Sequence, residues 1–485
     1  MKIGKERLVY FLTALCLLIG GNVCAQDFGF GFADDDDIVN SAGVNKPLAV
    51  SIGGEVSASM VGYLHDFSEG LEYTELGDIF SGKLNFSAET SLAEGVINLN
   101  LNPSFLPDSS PVSIDEAYVR AYIGSFDITA GLRKLAWGKA DSFGPLDVIN
   151  PLDYSQVFTE MADSTSLMSV KIARPLVHAS FRFGDFSKVE GVFVPWFEPH
   201  RIPQSGKWAV SQMEMLKNTS ITMPAPMPIQ IPVTINLTEK PATTLNYAQV
   251  GFRFTTTVGS SDIGAQYYYG RLPQPSIKVS NVNYNYDPAL SLQIPSSVDV
   301  DTLYIYNAYH QIGFDYAQVL YGFNIRAELA FNITEDLSGD DGSVYNPFIG
   351  WSLGFDRDIA LGVNLNLQLN ENLRLMNNKI GSSDMSSVFM SGNIDDFDIE
   401  GGSKLTATRL TATASKKFMR DQLELRAALA WGLEDKDFAF FPALIWTKDV
   451  LRVALSGGFF AGDSEGQLGQ YKDNRFLKIA LTYMF

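Results

Sequence analysis

In Phe80-Ser81-Gly82-Lys83-Leu84-Asn85-Phe86-Ser87-Ala88-Glu89-Thr90-Ser91-Leu92, apolar and polar residues take turns almost without exception. The even positions carry Phe80, Gly82, Leu84, Phe86, Ala88, Thr90 and Leu92. The odd ones carry Ser81, Lys83, Asn85, Ser87, Glu89 and Ser91. Successive side chains of a strand point to opposite faces, so the segment reads as a strand with one apolar and one polar face. The same period recurs in Leu361, Val363, Leu365, Leu367 and Leu369, which alternate with Gly362, Asn364, Asn366, Gln368 and Asn370. Val50, Ile52, Val56, Ala58 and Met60 stand opposite Ser51, Glu55, Ser57 and Ser59, and Leu423 to Trp431 repeats the pattern with Glu424 and Arg426 on its polar side.

A soluble β-sandwich also alternates, but two features favour a membrane barrel. Many segments run to ten or more residues, whereas soluble strands average roughly 5–6. Their connections also alternate between short and long. Tight turns are expected near Ala93-Glu94-Gly95, Gly124-Ser125, Gly184-Asp185, Gly259-Ser260-Ser261, Asp356-Arg357-Asp358 and Thr447-Lys448-Asp449. Long loops are expected at Ala136 to Thr165, Glu198 to Asn246, Arg271 to Leu303 and Glu371 to Ser403. Outer-membrane barrels place short turns on the periplasmic side and longer loops outside. Hydrophobic residues reach 46% with charged residues at 19%, against about 25% charged in soluble domains, yet no apolar run suits a membrane helix. The expected fold is therefore an all-β, transmembrane antiparallel β-barrel of about 18 strands, with 16 as the alternative. This count takes Leu167 to Phe183 as one long strand, despite a slip of parity at Arg174-Pro175. Pairing near Asp315 to Leu320 and Phe438 to Trp446 is ambiguous. A charge facing lipid at the bilayer midplane costs about 2–4 kcal/mol, so the charged parity is assigned to the lumen.

The N-terminus reads as a secretory signal over residues 1–25. Lys2, Lys5 and Arg7 precede an apolar run from Leu8 to Ile19, and Val23-Cys24-Ala25 supplies a small residue at the cut. Lipidation of Cys24 is the alternative, although Gly21-Asn22-Val23 is a poor lipobox. Cleavage after Ala25 removes both cysteines, Cys16 and Cys24, and with them disulfides and thiolate chemistry. It also removes Lys2, Lys5, Arg7 and Glu6, reducing the 36 basic and 55 acidic residues to 33 and 54. That acidic surplus carries no footprint for nucleic acid. Residues 26–46 lack alternation and hold Phe28-Gly29-Phe30-Gly31-Phe32 before Asp34 to Asp37, which reads as a mobile periplasmic segment. Residues 47–485 are assigned to the barrel.

The final segment places Leu477, Ile479, Leu481, Tyr483 and Phe485 on one face, with Lys478 and Thr482 on the other. It resembles the terminal assembly signal of outer-membrane proteins, and this resemblance implies that Tyr483 and Phe485 engage the barrel-assembly machinery. A second likeness lies inside the chain. Arg133-Lys134-Leu135-Ala136-Trp137-Gly138-Lys139 leads into Asp147-Val148-Ile149-Asn150-Pro151-Leu152-Asp153. This resembles the Trp-Gly … Asn-Pro-x-Asp signature of a functionally uncharacterised porin-like outer-membrane family of Gram-negative-type bacteria, through Trp137, Gly138, Asn150, Pro151 and Asp153. Gly131-Leu132-Arg133 stands where that pattern has Gly-Arg. Gly469-Gln470-Tyr471 before Lys472-Asp473-Asn474 is a weaker echo. The resemblance implies a porin-like barrel and no particular cargo.

On this plan Trp137 to Thr165 follows the fifth strand as the third outside loop. Folded inward, it brings Asp141, Asp147 and Asp153 toward Arg120, Arg133, Arg253, Arg326 and Arg426, all on the lumen parity. Opposed charges across a constriction orient dipolar solutes and set ion selectivity. The competing reading pairs those arginines with Glu55, Glu89, Asp127, Glu328 and Glu424 along the wall. The four histidines, His65, His178, His200 and His310, show no metal-ligand spacing, and no nucleotide or catalytic motif is present. No metal, cofactor or catalytic residue is expected. Pro224, Pro226, Pro228 and Pro232 stiffen the longest loop, and Tyr267, Tyr268 and Tyr269 alternate across the wall near an interfacial girdle. The expected function is an outer-membrane channel for small hydrophilic or amphiphilic solutes, in contact with outer-membrane lipid. The alternatives are a conduit or acceptor for lipid-like cargo and a surface-binding barrel.

Overall fold

The alternating segments form strands, and the strands close on themselves. A computed structural model describes residues 47–65, 80–101, 112–155, 157–164, 166–203, 205–210, 220–222, 230–239, 242–286, 295–376, 400 and 404–485. The first seven strands are β1 (Ala49–Tyr63), β2 (Phe80–Glu89), β3 (Ala93–Leu101), β4 (Val112–Ile123), β5 (Phe126–Arg133), β6 (Arg174–Phe183) and β7 (Ser187–Val194). Two strands outside the barrel follow, β8 (Ser220–Thr222) and β9 (Gln230–Glu239), then β10 (Gln249–Val258) and β11 (Ser261–Arg271) return to the wall. A second outside pair, β12 (Ser276–Asn285) and β13 (Ser297–Ile305), precedes β14 (Ala308–Leu320), β15 (Phe323–Thr334), β16 (Phe348–Ile359) and β17 (Val363–Arg374). The wall ends with β18 (Thr406–Phe418), β19 (Leu423–Gly432), β20 (Asp437–Lys448), β21 (Leu451–Ala461) and β22 (Phe476–Met484).

Eighteen of these strands form one antiparallel sheet in which β7 pairs with β10, β11 with β14, and β22 with β1. The chain is an 18-stranded transmembrane β-barrel. Closure matters because a peptide group facing hydrocarbon has no water to bond, and a closed sheet leaves no edge. At the seam, the Phe485 N–H donates to Gly54 O at 3.0 Å and the Gly54 N–H donates back to Phe485 O at 2.9 Å. A Cβ on Gly54 would stand 2.3 Å from Lys83 O, so only glycine admits both neighbouring strands there.

The wall has the two faces that alternation requires. Leu477, Ile479, Leu481 and Tyr483 point outward and are exposed on the isolated chain, whereas Phe476, Lys478, Ala480 and Thr482 between them are buried. Register carries the polar set inward around the barrel, as in the rows Ser57–Ser81 and Asn366–Thr413. Tyr267 and Tyr269 face outward beside His310, while Tyr268 is buried inward and donates to Gln249 Oε1 at 2.7 Å. An outer surface this apolar around a closed barrel places the protein in a bacterial outer membrane.

Several boundaries differ from the sequence reading. Leu167 to Phe183 is not one strand. Leu167–Ser169 is a 3₁₀ turn and β6 begins at Arg174, where the parity slips. Pro175 therefore sits at the strand's start, where its missing N–H is tolerated. Asp356-Arg357-Asp358 is strand, with Arg357 outward over the Phe323 ring at 4.5 Å, and the turn lies four residues later at Ala360–Gly362. The turn expected at Ala93-Glu94-Gly95 lies at Thr90–Leu92, and the connections at Tyr321–Gly322 and Met419–Gln422 escaped the sequence reading. The two longest loops are not wholly irregular. They supply β12, β13, β9 and β8, a four-stranded sheet beyond the wall in which β9 and β13 run parallel. Residues 1–46, which hold the expected signal and N-terminal segment, and Pro224, Pro226 and Pro228 lie outside the described residues.

Two substitutions side by side on β17 test the assignment of faces. Leu367→Arg puts a charge toward lipid and should destabilise the folded barrel by about 2–4 kcal/mol, whereas Asn366→Arg should be tolerated. Urea unfolding followed by heat-modifiable gel mobility reads both, and equal losses would reject the facing.

Candidate functional site

The segment between β5 and β6, residues 134–173, lies inside the barrel. Its two ends are tied by one amide. Asn150 Oδ1 accepts from the Leu135 N–H at 2.7 Å, and Asn150 Nδ2 donates to Ile172 O at 2.8 Å and Arg133 O at 3.1 Å. Pro151 O takes the Ile172 N–H at 2.8 Å, and Lys171 bridges Leu135 O and the Asp147 carboxylate. Trp137 is buried against the inner faces of β6, β7 and β11 with Leu135, Ile149, Leu176, Val192 and Tyr268. Trp137, Asn150 and Pro151 thus build the root of an infolded segment.

From that root the chain crosses to the opposite wall. Glu328 of β15 receives its backbone. Oε1 accepts from the N–H groups of Lys139 and Ala140, the latter at 2.7 Å, and Oε2 accepts from Leu146 N–H at 3.3 Å. Gly138, at φ +104°, makes this possible, because a Cβ there would lie 2.3 Å from Glu328 Oε1. Gln368 Oε1 of β17 accepts from Asp141 and Ser142 N–H at 2.9 and 3.0 Å. Gln266 and Gln311 donate to Leu146 O and Pro145 O at 2.9 and 3.0 Å. The Asp141 carboxylate accepts from Arg326 of β15 and from Asn366 Nδ2 at 2.8 Å.

The same segment then turns to a third sector. Its short helix α1 (Val157–Met161) sets Phe158 among Trp208, Phe441, Phe460 and Tyr471, with ring centroids 5.1–6.4 Å apart. Phe476 and Tyr63 extend the cluster through Trp208. Phe441, Phe460 and Phe476 all belong to the inner face of β20–β22. The inner face, read from alternation as the polar one, is therefore apolar in this sector. Its apolar side chains are the seat for α1 and for Trp208 of the β7–β10 connection.

Of the five arginines singled out from sequence, Arg326 meets one of the three aspartates, Asp141. Arg253 is buried against Asp315 at 2.8 Å and donates to Gln266 at 2.8 Å. Arg133 lies 5.0 Å over the Tyr118 ring and donates to Thr129, and Arg120 approaches Glu94 at 3.9 Å. Arg426 stands 4.0 Å from Glu424, as the competing reading has it. Asp147 pairs with Lys171 at 2.6 Å and Asp153 with Arg201 at 2.6 Å. Glu328, read from sequence as an arginine partner, binds peptide N–H groups instead. Lys83 went unnoticed. Its side chain is half exposed (50%), 2.9 Å from Glu55, and within electrostatic reach of Glu160 on α1 and of Asp115. Its inward parity on β2 was the signal available.

On the long-loop side, His200 fastens the segment to the β7–β10 connection. Its Nδ1 accepts from the Leu152 N–H at 2.9 Å, and its ring meets Tyr154 edge-on at 5.3 Å. Burial alone pushes the imidazole pKa down from 6.5 to about 4. Among the described residues no group of three or more His, Cys, Asp or Glu side chains is arranged to hold a metal ion.

No family model and no curated protein matches the chain. Among solved structures, a BenF-like porin from Pseudomonas fluorescens Pf-5 is 8% identical over 90% of this chain and 98% of its own, with a TM-score of 0.47. OccAB4 of Acinetobacter baumannii is 7% identical over 92% and 99%, TM-score 0.46. OmpF of Salmonella typhi, solved in complex with daunomycin, is 8% identical over 90% and 97%, TM-score 0.40. Each is a likeness of barrel plan.

Glu328→Ala leaves three peptide donors of the segment without their acceptor, and should raise single-channel conductance and open-channel noise while the barrel still folds. An unchanged trace would reject Glu328 as the anchor. For His200 the sign follows from its depressed pKa. Between pH 6.5 and about 4 the undocked imidazole takes up a proton that the docked one refuses, so docking weakens as pH falls through this window. Hydrogen exchange at Leu152, corrected for intrinsic rate, should speed up on acidification in the wild type and lose that extra pH dependence in His200→Gln.

Proposed function

We propose that this protein is an outer-membrane channel for small hydrophilic or amphiphilic solutes, narrowed by residues 134–173. The observation that carries the reading is the clamp of this segment across the lumen onto Glu328, Gln368 and Arg326. A barrel of 16–18 strands is wide enough to hold water, so an infolded segment narrows a path instead of filling a core. The inner surfaces of β1–β3, β17 and β18 keep partly exposed Ser57, Asn85, Asn98, Asn366 and Thr413. Such amides and hydroxyls replace the hydrogen bonds a polar solute gives up on leaving water. Lys83 faces the acidic Glu160 and Asp115, and Arg326 holds Asp141. Together they put both signs of charge at the narrowing, which orients dipolar solutes. In this reading the β22 strand and Phe485 also present the signal for the assembly machinery, since an unpaired strand edge must be guided to closure.

The apolar inner sector of β20–β22 favours a second reading, a conduit for lipid-like cargo. Phe158 and Trp208 cover that sector, so a lipid could use it only after α1 had left its seat.

Planar-bilayer conductance of the purified protein separates the two. Stable ohmic steps with measurable ion selectivity are expected, and a sealed barrel would sink the channel. Replacing Asp141, Asp147 and Asp153 by Asn should shift selectivity toward anions, because it leaves the charges of Arg326, Lys171 and Arg201 unmatched. No shift in reversal potential would remove the segment from the constriction.

A further inference from the structure

Three cations converge on the inner wall beside the C-terminal end of α1: Arg426 of β19, Arg452 of β21 and Lys478 of β22. Register sets Arg426, Ala443, Ser456 and Lys478 in one row across four neighbouring strands. All four are buried, none more than 8% exposed. Ala443, Ala454 and Ala480, with Ile445, form a floor of mostly small side chains beneath the charged heads. Lys478 Nζ binds the Asp163 carboxylate at 3.2 Å and Thr159 O at 3.0 Å. Arg452 donates to Asp163 O, and Arg426 Nη2 donates to Ala162 O at 3.4 Å.

The charges do not balance. Among the described residues, Asp163 and Glu424 are the carboxylates facing these three cations, and Glu424 reaches Arg426 Nη1 only at 4.0 Å. Arg452 and Arg426 lie within electrostatic reach of each other, a repulsive pair. Two buried polar atoms on the row, Arg426 Nη1 and Ser456 Oγ, have no hydrogen-bond partner. Buried donors are nearly always satisfied, and a buried surplus charge calls for a counter-charge. β19 and β21 stand roughly 10 Å apart across β20, with only the Ala443 methyl between their inward side chains.

We propose that this pocket binds a small monovalent anion of halide size, chloride in the cell. Arg426 Nη1 and the Ser456 hydroxyl donate to it, Arg452 adds its field, and the anion neutralises the surplus positive charge behind α1. Both donors are buried, which favours a small ion over the carboxylate end of a passing solute. The site is therefore separate from the solute path and independent of what the channel carries. Its occupancy strengthens the grip of the wall on Thr159, Ala162 and Asp163, coupling the position of the lumen segment to halide concentration.

Crystals grown with bromide in place of chloride test this directly. An anomalous peak within hydrogen-bonding distance of Arg426 Nη1 and Ser456 Oγ is expected. Ordered solvent there with no anomalous signal means a water occupies the pocket, and the proposal fails. Ser456→Ala keeps the cations and the fold and should weaken halide binding roughly tenfold, the loss of one hydrogen bond to a charged group. The solution measurement is the thermal midpoint at equal ionic strength in chloride and in gluconate, which is too large for the pocket. The wild type should melt higher in chloride, and Ser456→Ala and Arg426→Gln should lose that difference. A wild type indifferent to the anion overturns the site.

Discussion

A peptide group facing hydrocarbon must find its hydrogen-bond partner within the protein, and a related demand shapes what lies inside the wall. In the wall the first demand is met by the ladder, and the last link is the seam of β1 with β22. There Gly54 and Phe485 exchange two backbone hydrogen bonds and Gly54 lets Lys83 O approach. Had the seam stayed open, a row of unpaired N–H and C=O groups would face hydrocarbon, each costing several kcal/mol.

The infolded segment meets the related demand without a ladder. Irregular backbone at this depth is tolerated where it is buried in protein or lines a water-filled cavity, and here side chains of the barrel satisfy much of it. Glu328 and Gln368 take five of its N–H groups, Gln266 and Gln311 cap two carbonyls, and Lys478, Arg452 and Arg426 cap three more. Many inward polar residues therefore serve the segment first and the lumen second. A carboxylate suits the position of Glu328 because it has two oxygens and no donor, so three converging N–H groups can share it. An arginine partner for Glu328 would have competed for the same lone pairs.

Period-two alternation made the wall legible, because membrane barrels cannot hide a misplaced face. A count of about 18 strands, with 16 as the alternative, and the inward parity of Arg326, Glu328 and Gln368 follow from local pattern. The turns at Asp356-Arg357-Asp358 and Ala93-Glu94-Gly95 were misplaced because charge and glycine are weaker signals than the parity they interrupt. Partners across the lumen were illegible for a different reason. Asp141 meets Arg326 across 185 positions of sequence and Phe158 meets Phe460 across some 300, and neither separation leaves a trace in local composition. The apolar inward face of β20–β22 was visible as Phe441 and Phe460, but its meaning depends on α1, which a short loop-like sequence conceals.

Asymmetry of the inner wall is the remaining consequence. One sector holds the segment by hydrogen bonds to its backbone, another by aromatic rings and buried cations, and the inner faces of β2 and β3 keep Asn85 and Asn98 accessible. Hydrogen bonds to peptide groups fix position with little dependence on which side chains the segment carries, whereas the ring cluster needs Phe158 and Trp208 themselves. The Glu328 contact therefore sets where the segment crosses the lumen, and the aromatic seat sets how far α1 extends beyond it. Lys83 of β2 lies within electrostatic reach of Glu160, so the position of α1 also decides how close these opposed charges stand.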